Sequence, residues 1–296
     1  MPRGTSDRKN RHPGERGVGQ VLKWIITRAL RPLFPLSVRK RMVLLVGRRR
    51  LLFHHTFTMA MLTDFADSCP VEFHRFLWSN YLAYADTYEI SRCFGQSQLA
   101  RYHQALFADT VAYLLSRSVD HKTGVDSVFE VGCSLGYLLR FAETDVFPSA
   151  GTLRGLDIDR YAVTTGAAYL RSLGSRVELV AADITELREV MGEHVYDVVL
   201  CCGVLSYLSE TTAAKIVEDM LRHTERVLAM ACLAHPRVDN IELSRSDRRA
   251  IDNSFIHNLD RMVSEAGGTV ARRRWESPKA IRDAGVYVVL AEPPGR

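Results

Sequence analysis

From residue 127 onward, short unbroken apolar runs alternate with stretches of helical periodicity, and no other feature constrains the fold as tightly. The runs 127–132, 151–157, 176–182, 195–202, 225–233, 268–275 and 284–291 are rich in Val, Leu and Ile. Such runs, lacking polar alternation, are expected of strands buried on both faces of a parallel sheet. Helical stretches separate them in units of about 25–30 residues, which predicts a doubly wound α/β domain. Little lies between the last two runs beyond a turn at Ser277-Pro278 and a short helix. With 296 residues, 47 % of them apolar and 25 % charged, the chain can bury a full α/β core.

The segments before this domain differ in kind. Residues 1–18 are rich in Arg, Gly and Pro, the composition of a disordered basic tail. Residues 19–55 form a basic amphipathic segment: Val21, Leu22, Ile25, Ile26, Ala29 and Leu30 share a helical face opposite Lys23, Arg28 and Arg31. Pro32 and Pro35 break that helix, and the clusters Arg39-Lys40-Arg41 and Arg48-Arg49-Arg50 follow. Residues 56–119 read as a helical cap, with Phe73, Phe76, Leu77, Trp78, Tyr81, Tyr84 and Tyr88 and a second helix from about Gln98. A polar linker then leads into the α/β domain at 120–296.

Charge follows the same division. The net charge is +5, yet residues 1–55 carry 14 Lys/Arg against only Asp7 and Glu15. A basic arm on a mildly acidic domain suits attachment to an anionic membrane surface through residues 19–55. Nucleic-acid phosphates are a weaker alternative, because no RNA-binding module accompanies the arm. Asp7, Glu15 and the long polar start count against an organellar targeting segment. The six cysteines form no CxxC pair and several lie in apolar runs, so they read as buried free thiols in a reducing compartment. Apolar runs fall short of the ~18–20 residues of a membrane span. The expected location is the cytoplasm, with or without association at a membrane surface.

The chemistry is carried by the strand ends. In Val128-Phe129-Glu130-Val131-Gly132-Cys133-Ser134-Leu135-Gly136-Tyr137-Leu138-Leu139 a hydrophobic strand ends in an acid, a Gly-x-x-x-Gly turn and an apolar helix. Glycines let the backbone approach a ligand closely, although a plain tight turn would read the same. Gly155-Leu156-Asp157-Ile158-Asp159 puts an acid 21 residues after Gly136, where a carboxylate can accept ribose hydroxyls. Asp159 reads as a helix N-cap. The third strand runs into Asp183-Ile184, where an acid can accept an adenine amino group beneath an aliphatic cover. The fourth, from Tyr196-Asp197 to Cys201-Cys202, opens into Gly203-Val204-Leu205-Ser206-Tyr207-Leu208.

In order and spacing, Glu130-x-Gly132-x-Ser134-x-Gly136, Asp157, Asp183-Ile184 and Tyr196-Asp197…Val204-Leu205-x-x-Leu208 resemble the class I S-adenosylmethionine-dependent methyltransferase domain. The resemblance covers about residues 120–293. It implies a Rossmann-like seven-stranded sheet, mostly parallel with the last strand antiparallel, behind an N-terminal helical extension. It also implies S-adenosyl-L-methionine as cofactor and the EC 2.1.1 class of activity. Gly132 and Gly136 would admit the methionine moiety, and Glu130 would orient its amino group. Asp157, with Ile158 beside it, would hold the ribose; Asp183 and Ile184 would hold the adenine; Cys202 would lie under the sulfonium. Ser134 replaces a glycine common in the family, which puts the shape of the turn in doubt. No phosphate-cradling turn is present, which disfavours NAD.

Methyl transfer needs alignment and desolvation more than a fixed catalytic group, so candidates are drawn from the sheet's carboxyl edge. His235 follows the fifth strand and could act as general base or as a loop cap. Tyr207 could contact the acceptor or simply pack. His257 is a weaker third candidate. Tyr88 or Phe94 could meet the sulfonium by cation–π attraction, against the plainer reading of core aromatics. Asp239-Asn240 resembles the pair of Mg-dependent catechol-type methyltransferases, but Cys201-Cys202 stand where such a site needs an acid, so no metal is expected. The acceptor reads as O or N of a small-molecule, lipid-linked or glycan compound. Competing readings are a nucleic-acid methyltransferase using the basic arm, an aminopropyltransferase lacking its acidic cluster, and a non-catalytic cofactor-binding scaffold.

Overall fold

The computed structural model describes residues 31–48, 54–83, 94, 99–276 and 285–295. The disordered tail, the first amphipathic stretch before Arg31, Tyr84, Tyr88, Cys93 and the turn at Ser277-Pro278 lie outside the described residues. The chain divides into two compact units, one of residues 1–69 with 82–87, the other of 70–81 with 88–296.

The first unit contains α1 (Leu36–Arg48), α2 (His54–Met61) and α3 (Thr63–Ser68). Val43, Ala60, Met61, Leu62, Phe65 and Leu82 are buried in it. Arg39, one of the arm's cations, is buried too. Its guanidinium donates to the Met61 carbonyl at 2.6 Å and to both Asp64 oxygens at 2.6 and 2.8 Å. That pairing holds the Asp64 carboxyl below its ordinary pKa. Lys40 lies 3.8 Å above the Phe65 ring. Opposite this buried stripe, Val38, Arg41 and Leu45 face solvent at helical spacing, and Leu33 is exposed just before them. No helix among the described residues is long and apolar enough to cross a membrane.

The second unit begins with α4 (Pro70–Ser79) and α5 (Arg101–Ser116). The α/β part follows: β1 (Ser127–Val131), α6 (Tyr137–Phe141), β2 (Thr152–Asp157), α7 (Arg160–Ser172), β3 (Glu178–Ala181), α8 (Leu187–Met191) and β4 (Tyr196–Cys202). Then come α9 (Glu210–Arg222), β5 (Thr224–Leu233), the two-residue strands β6 (Asp247–Arg248) and β7 (Phe255–Ile256), α10 (Leu259–Glu265), β8 (Thr269–Glu276) and β9 (Val286–Glu292). The main sheet has seven strands in the order β3-β2-β1-β4-β5-β9-β8. β1 to β5 run parallel, and β9 is inserted antiparallel between β5 and β8. All seven strands lie where the apolar runs predict them.

Two hydrophobic layers clothe the sheet. Phe129, Val131, Val199 and Met230 face α8, α9 and α10. Val128, Val198, Leu200 and Ala229 face α5, α6 and α7. Helix α9 buries Ala213, Ile216, Val217, Met220 and Leu221, the stripe expected of a helix on a sheet, and Ser209 caps its first turn. Burial on both faces, expected of every run, fails at the two edges. β3 is only half covered, and the Arg272-Arg273-Arg274 stretch of β8 is largely exposed, because an edge strand has a neighbour on one side only. Charge closes the β8 edge: Arg272 and Arg274 meet the buried Asp109 of α5 at 3.0 and 2.5 Å, and Arg273 meets Asp260 at 2.6 Å.

At the start of β4, Asp197 accepts the backbone N–H groups of Asp126 and Ser127 at 2.8 and 3.0 Å and the guanidinium of Arg226 at 2.7 Å. It therefore fixes the amino edge of the sheet, away from the strand ends that carry the acids. Asp159 caps α7, as its sequence position predicts, by accepting from the Ala162 N–H at 3.0 Å.

The contact of α7 with the turn after β1 decides how that turn sits. A Cβ on Gly166 would overlap the Leu135 carbonyl group. Alanine at an ordinary helical glycine gains roughly 1 kcal/mol of helix propensity. Here the backbone clash should win, so Gly166→Ala is expected to lose about 1–3 kcal/mol in chemical denaturation. A neutral or stabilising result would mean that α7 and the turn are not in contact.

Candidate active site

Chain order reverses at β1, which has β2 on one side and β4 on the other. Such a switch point opens a crevice at the carboxyl ends of the strands. The turn leaving β1 follows a left-handed course at alternate residues: Gly132 at φ 81°, Ser134 at φ 49° and Gly136 at φ 81°. Serine in the place of a glycine does not straighten the turn. A Cβ on Gly132 would collide with Val204, which brings the turn after β4 against the turn after β1. The N–H groups of Gly132 and Cys133 both donate to the Leu156 carbonyl, at 2.8 and 2.9 Å. Helix α6 starts at Tyr137 and widens after one turn into a π-helical stretch, Ala142–Val146.

Three acids follow three successive strands. Glu130 is 1 % exposed, and its Oε2 has no hydrogen-bond partner among the described residues. Burial, reinforced by the neighbouring Asp157 carboxylate, raises its pKa well above the ordinary glutamate range. Asp157 accepts the Ser134 N–H at 2.8 Å through Oδ2 and the Asp159 N–H at 2.8 Å through Oδ1. Burial raises its pKa too, against the pull of these hydrogen bonds. Asp183 caps the turn after β3, accepting from the Thr185 N–H at 3.0 Å and the Thr185 hydroxyl at 2.7 Å. Its other oxygen meets Arg75 of α4 at 2.8 Å, an ion pair that nothing in the sequence spacing announces. Gly132, Ser134, Ile158, Ile184 and Cys202 keep part of their surface open, while the strands beneath are closed. Burial, then the Glu130 and Cys201 charges, push the Cys202 thiol well up, so it stays protonated.

Around the acids lie groups that sequence reasoning found only in part. Tyr207 ends the short turn after β4, its ring 4.8 Å from His74 and 5.2 Å from Trp78, both on α4. Tyr102 and His103 open α5 with ring centroids 4.1 Å apart. Neither was singled out in the sequence; a polar pair at the start of a helix carries no periodic signal. Phe94, a candidate for the sulfonium, instead packs against Tyr169 of α7 at 4.9 Å. The other candidate there, Tyr88, lies outside the described residues.

Past β5 the polar residues bind one another. The Nδ1 of His235 accepts from the Arg237 and Val238 N–H groups at 3.2 and 3.1 Å, and its Nε2 meets Asp247 at 3.2 Å. Both ring nitrogens are thus engaged in holding the loop, which leaves neither free to take a proton from a ligand. Asn240 donates to the carbonyls of Leu233 and His257 at 3.0 and 2.9 Å and accepts from the His235 N–H at 2.8 Å. Asp239 caps the turn that follows. His257 is fully buried, with its Nε2 2.8 Å from the Leu205 carbonyl and its Nδ1 2.6 Å from the Ser246 hydroxyl. It anchors the turn carrying Tyr207 instead of facing the crevice.

Residues 128–226 match the family model described as a methyltransferase domain. No curated protein matches the chain. Among solved structures, the chain is similar to 1,6-didemethyltoxoflavin-N1-methyltransferase of Burkholderia thailandensis, solved with 1,6-didemethyltoxoflavin and S-adenosylhomocysteine. The TM-score is 0.50 and the identity 14 %, over 66 % of this chain and 79 % of that one. A protein of Galdieria sulphuraria described as a candidate sarcosine dimethylglycine methyltransferase gives a TM-score of 0.50 at 10 % identity, over 66 % and 85 % of the two chains. The fold is therefore that of the class I methyltransferases. A methyltransferase domain lies at its centre, over the strands and turns that bear the three acids.

The buried Glu130 carboxyl has a consequence for stability. Its folded pKa lies above the unfolded value, so the folded chain holds the extra proton between the two. Stability is then highest below the ordinary glutamate range and declines as pH rises through the raised value. Thermal unfolding from about pH 5 to about pH 8 should show wild type losing stability relative to Glu130→Gln, with the variant melting higher at the upper end. Parallel curves would remove the buried charge from the account.

Proposed function

We propose that this chain transfers a methyl group from S-adenosyl-L-methionine to an oxygen or nitrogen of a small-molecule, lipid-linked or glycan acceptor. The observation that carries this is the buried, unpartnered Oε2 of Glu130 beside Asp157, at the head of a thrice left-handed turn. A buried carboxylate without a partner is costly, and a cationic hydrogen-bond donor relieves that cost. When bound, S-adenosylmethionine supplies an amino group of that kind and an electrophilic methyl on sulfur.

The residues divide the binding work. Glu130 takes the amino group of the methionine moiety, beside the turn at Gly132, Ser134 and Gly136. Asp157 is already oriented by two N–H donors, which leaves remaining lone pairs for ribose hydroxyls. Ile158 and Ile184 flank the adenosine. Asp183 reaches the adenine amino group only by sharing the oxygen that meets Arg75. Cys202, kept neutral, forms an uncharged floor at the end of β4. The closed aromatic surroundings exclude water, so alignment and desolvation supply most of the rate. Tyr207 faces the acceptor side, and His235 organises the loop beside it.

A second reading concerns the arm, and the exposed Leu33, Val38 and Leu45 around Arg41 favour it. An apolar face edged with arginines suits the headgroup region of an anionic membrane. On this reading the enzyme works at a membrane surface on the cytoplasmic side.

Calorimetry with S-adenosylmethionine and S-adenosylhomocysteine tests the cofactor. Asp157→Ala is expected to weaken binding at least tenfold, about 1.4 kcal/mol. Unchanged affinity would overturn the ribose assignment, and no binding by wild type would overturn the function. For the arm, co-sedimentation with phosphatidylserine vesicles should disappear when residues 19–55 are deleted and weaken steeply with salt. Binding that survives the deletion would remove the membrane reading.

A further inference from the structure

Opposite the acids, the crevice presents two phenols with nothing to bond to. Tyr207 stands five residues beyond Cys202, its ring braced between His74 and Trp78. Tyr102 is the second residue of α5 and packs, like Cys202, on the sheet face that α5 covers. Tyr102 is near enough to both Cys202 and Tyr207 for their charges to act on it. Neither phenol hydroxyl has a hydrogen-bond partner among the described residues, and both side chains keep part of their surface open. Tyrosine hydroxyls in such half-buried settings normally find a partner. Two unengaged donors at the end of one strand therefore point to a ligand.

The surroundings define what that ligand is. Burial pushes both Tyr102 and Tyr207 up to about 12, so each is a neutral donor at any physiological pH. His103, stacked on Tyr102, is pushed down to about 4 by burial, and its Nδ1 has no partner among the described residues. His74 is likewise held towards its neutral form by burial. The Arg249 guanidinium, whose charge reaches Tyr207, is taken by Asp252 through both of its oxygens. Aromatic walls, neutral donors and an arginine already paired suit a flat, uncharged molecule. A carboxylate or phosphate placed there would lose its hydration with no unpaired cation to replace it.

We propose that Tyr102 and Tyr207 bind the methyl acceptor, donating hydrogen bonds to oxygens of an uncharged aromatic ring of the phenol class seated against Trp78 and His103. This rests on the methyltransferase reading for the identity of the neighbouring site, and it narrows the acceptor from the broad classes named above. The two tyrosines are acceptor-binding groups on separate elements, α5 and the turn after β4. The site is complete only when both elements are in place.

Calorimetry on the full chain tests this with catechol as the neutral probe and 3,4-dihydroxybenzoate as its charged counterpart. Both are titrated with and without saturating S-adenosylhomocysteine. Catechol should bind the loaded protein more tightly than the benzoate. Tyr102→Phe and Tyr207→Phe keep the rings and remove only the hydroxyls. Each should weaken catechol binding by about five- to tenfold, the worth of one hydrogen bond. Affinity for S-adenosylhomocysteine and the thermal midpoint should stay unchanged. The proposal is overturned if catechol fails to bind, if both variants bind it like wild type, or if the benzoate binds better. Loss of S-adenosylhomocysteine binding in wild type would sink the cofactor reading instead, and the unloaded titrations keep the two failures apart.

Discussion

The Asp157 carboxylate ties the turn after β1 to the turn after β2, and the rest of the crevice is arranged around that junction. One oxygen holds the Ser134 N–H and the other the Asp159 N–H. Through Ser134 it fixes a turn that must be left-handed at Gly132 and Gly136; through Asp159 it sets the residue that caps α7. Helix α7 in turn presses Gly166 onto Leu135, inside the first turn. A closed loop of contacts thus holds backbone that local propensity alone would not keep in place.

Burial acts on nearly every titratable group of the crevice in the same sense. It raises the thiols of Cys133, Cys201 and Cys202 and the phenols of Tyr102 and Tyr207, and it lowers the imidazoles of His74, His103 and His257. The result is a neutral enclosure in which the acids at the strand ends are the exception. Glu130 lacks the hydrogen bonds that make Asp157 tolerable, so its cost to stability remains until a donor arrives. Loss of stability at a binding residue is a common trade in proteins that must recognise a charged ligand.

Much of the fold was legible before the structure, and for a definite reason. Strands buried on both faces must be apolar at every position, so the runs at β1, β4, β5 and β9 could hardly be read otherwise. The edge strands were read less well, because β8 carries three arginines whose partners, Asp109 and Asp260, are distant in sequence. The polar residues past β5 show the opposite failing. His235, Asn240 and His257 look like chemistry in one dimension, but in three they hydrogen-bond the loop that leads back to α10.

The sequence by itself determined the order of strands and helices, the left-handed turn with its glycines, and the acids at the ends of three strands. Each of those depends on spacing within one segment, and spacing is what a sequence records. Only the tertiary structure decided that Arg75 engages Asp183, that His235 has no free nitrogen, and that Tyr102 and Tyr207 share the end of β4 with hydroxyls unengaged. These facts join residues about a hundred positions apart. They follow from how α4 and α5 pack on the sheet, which no local periodicity encodes.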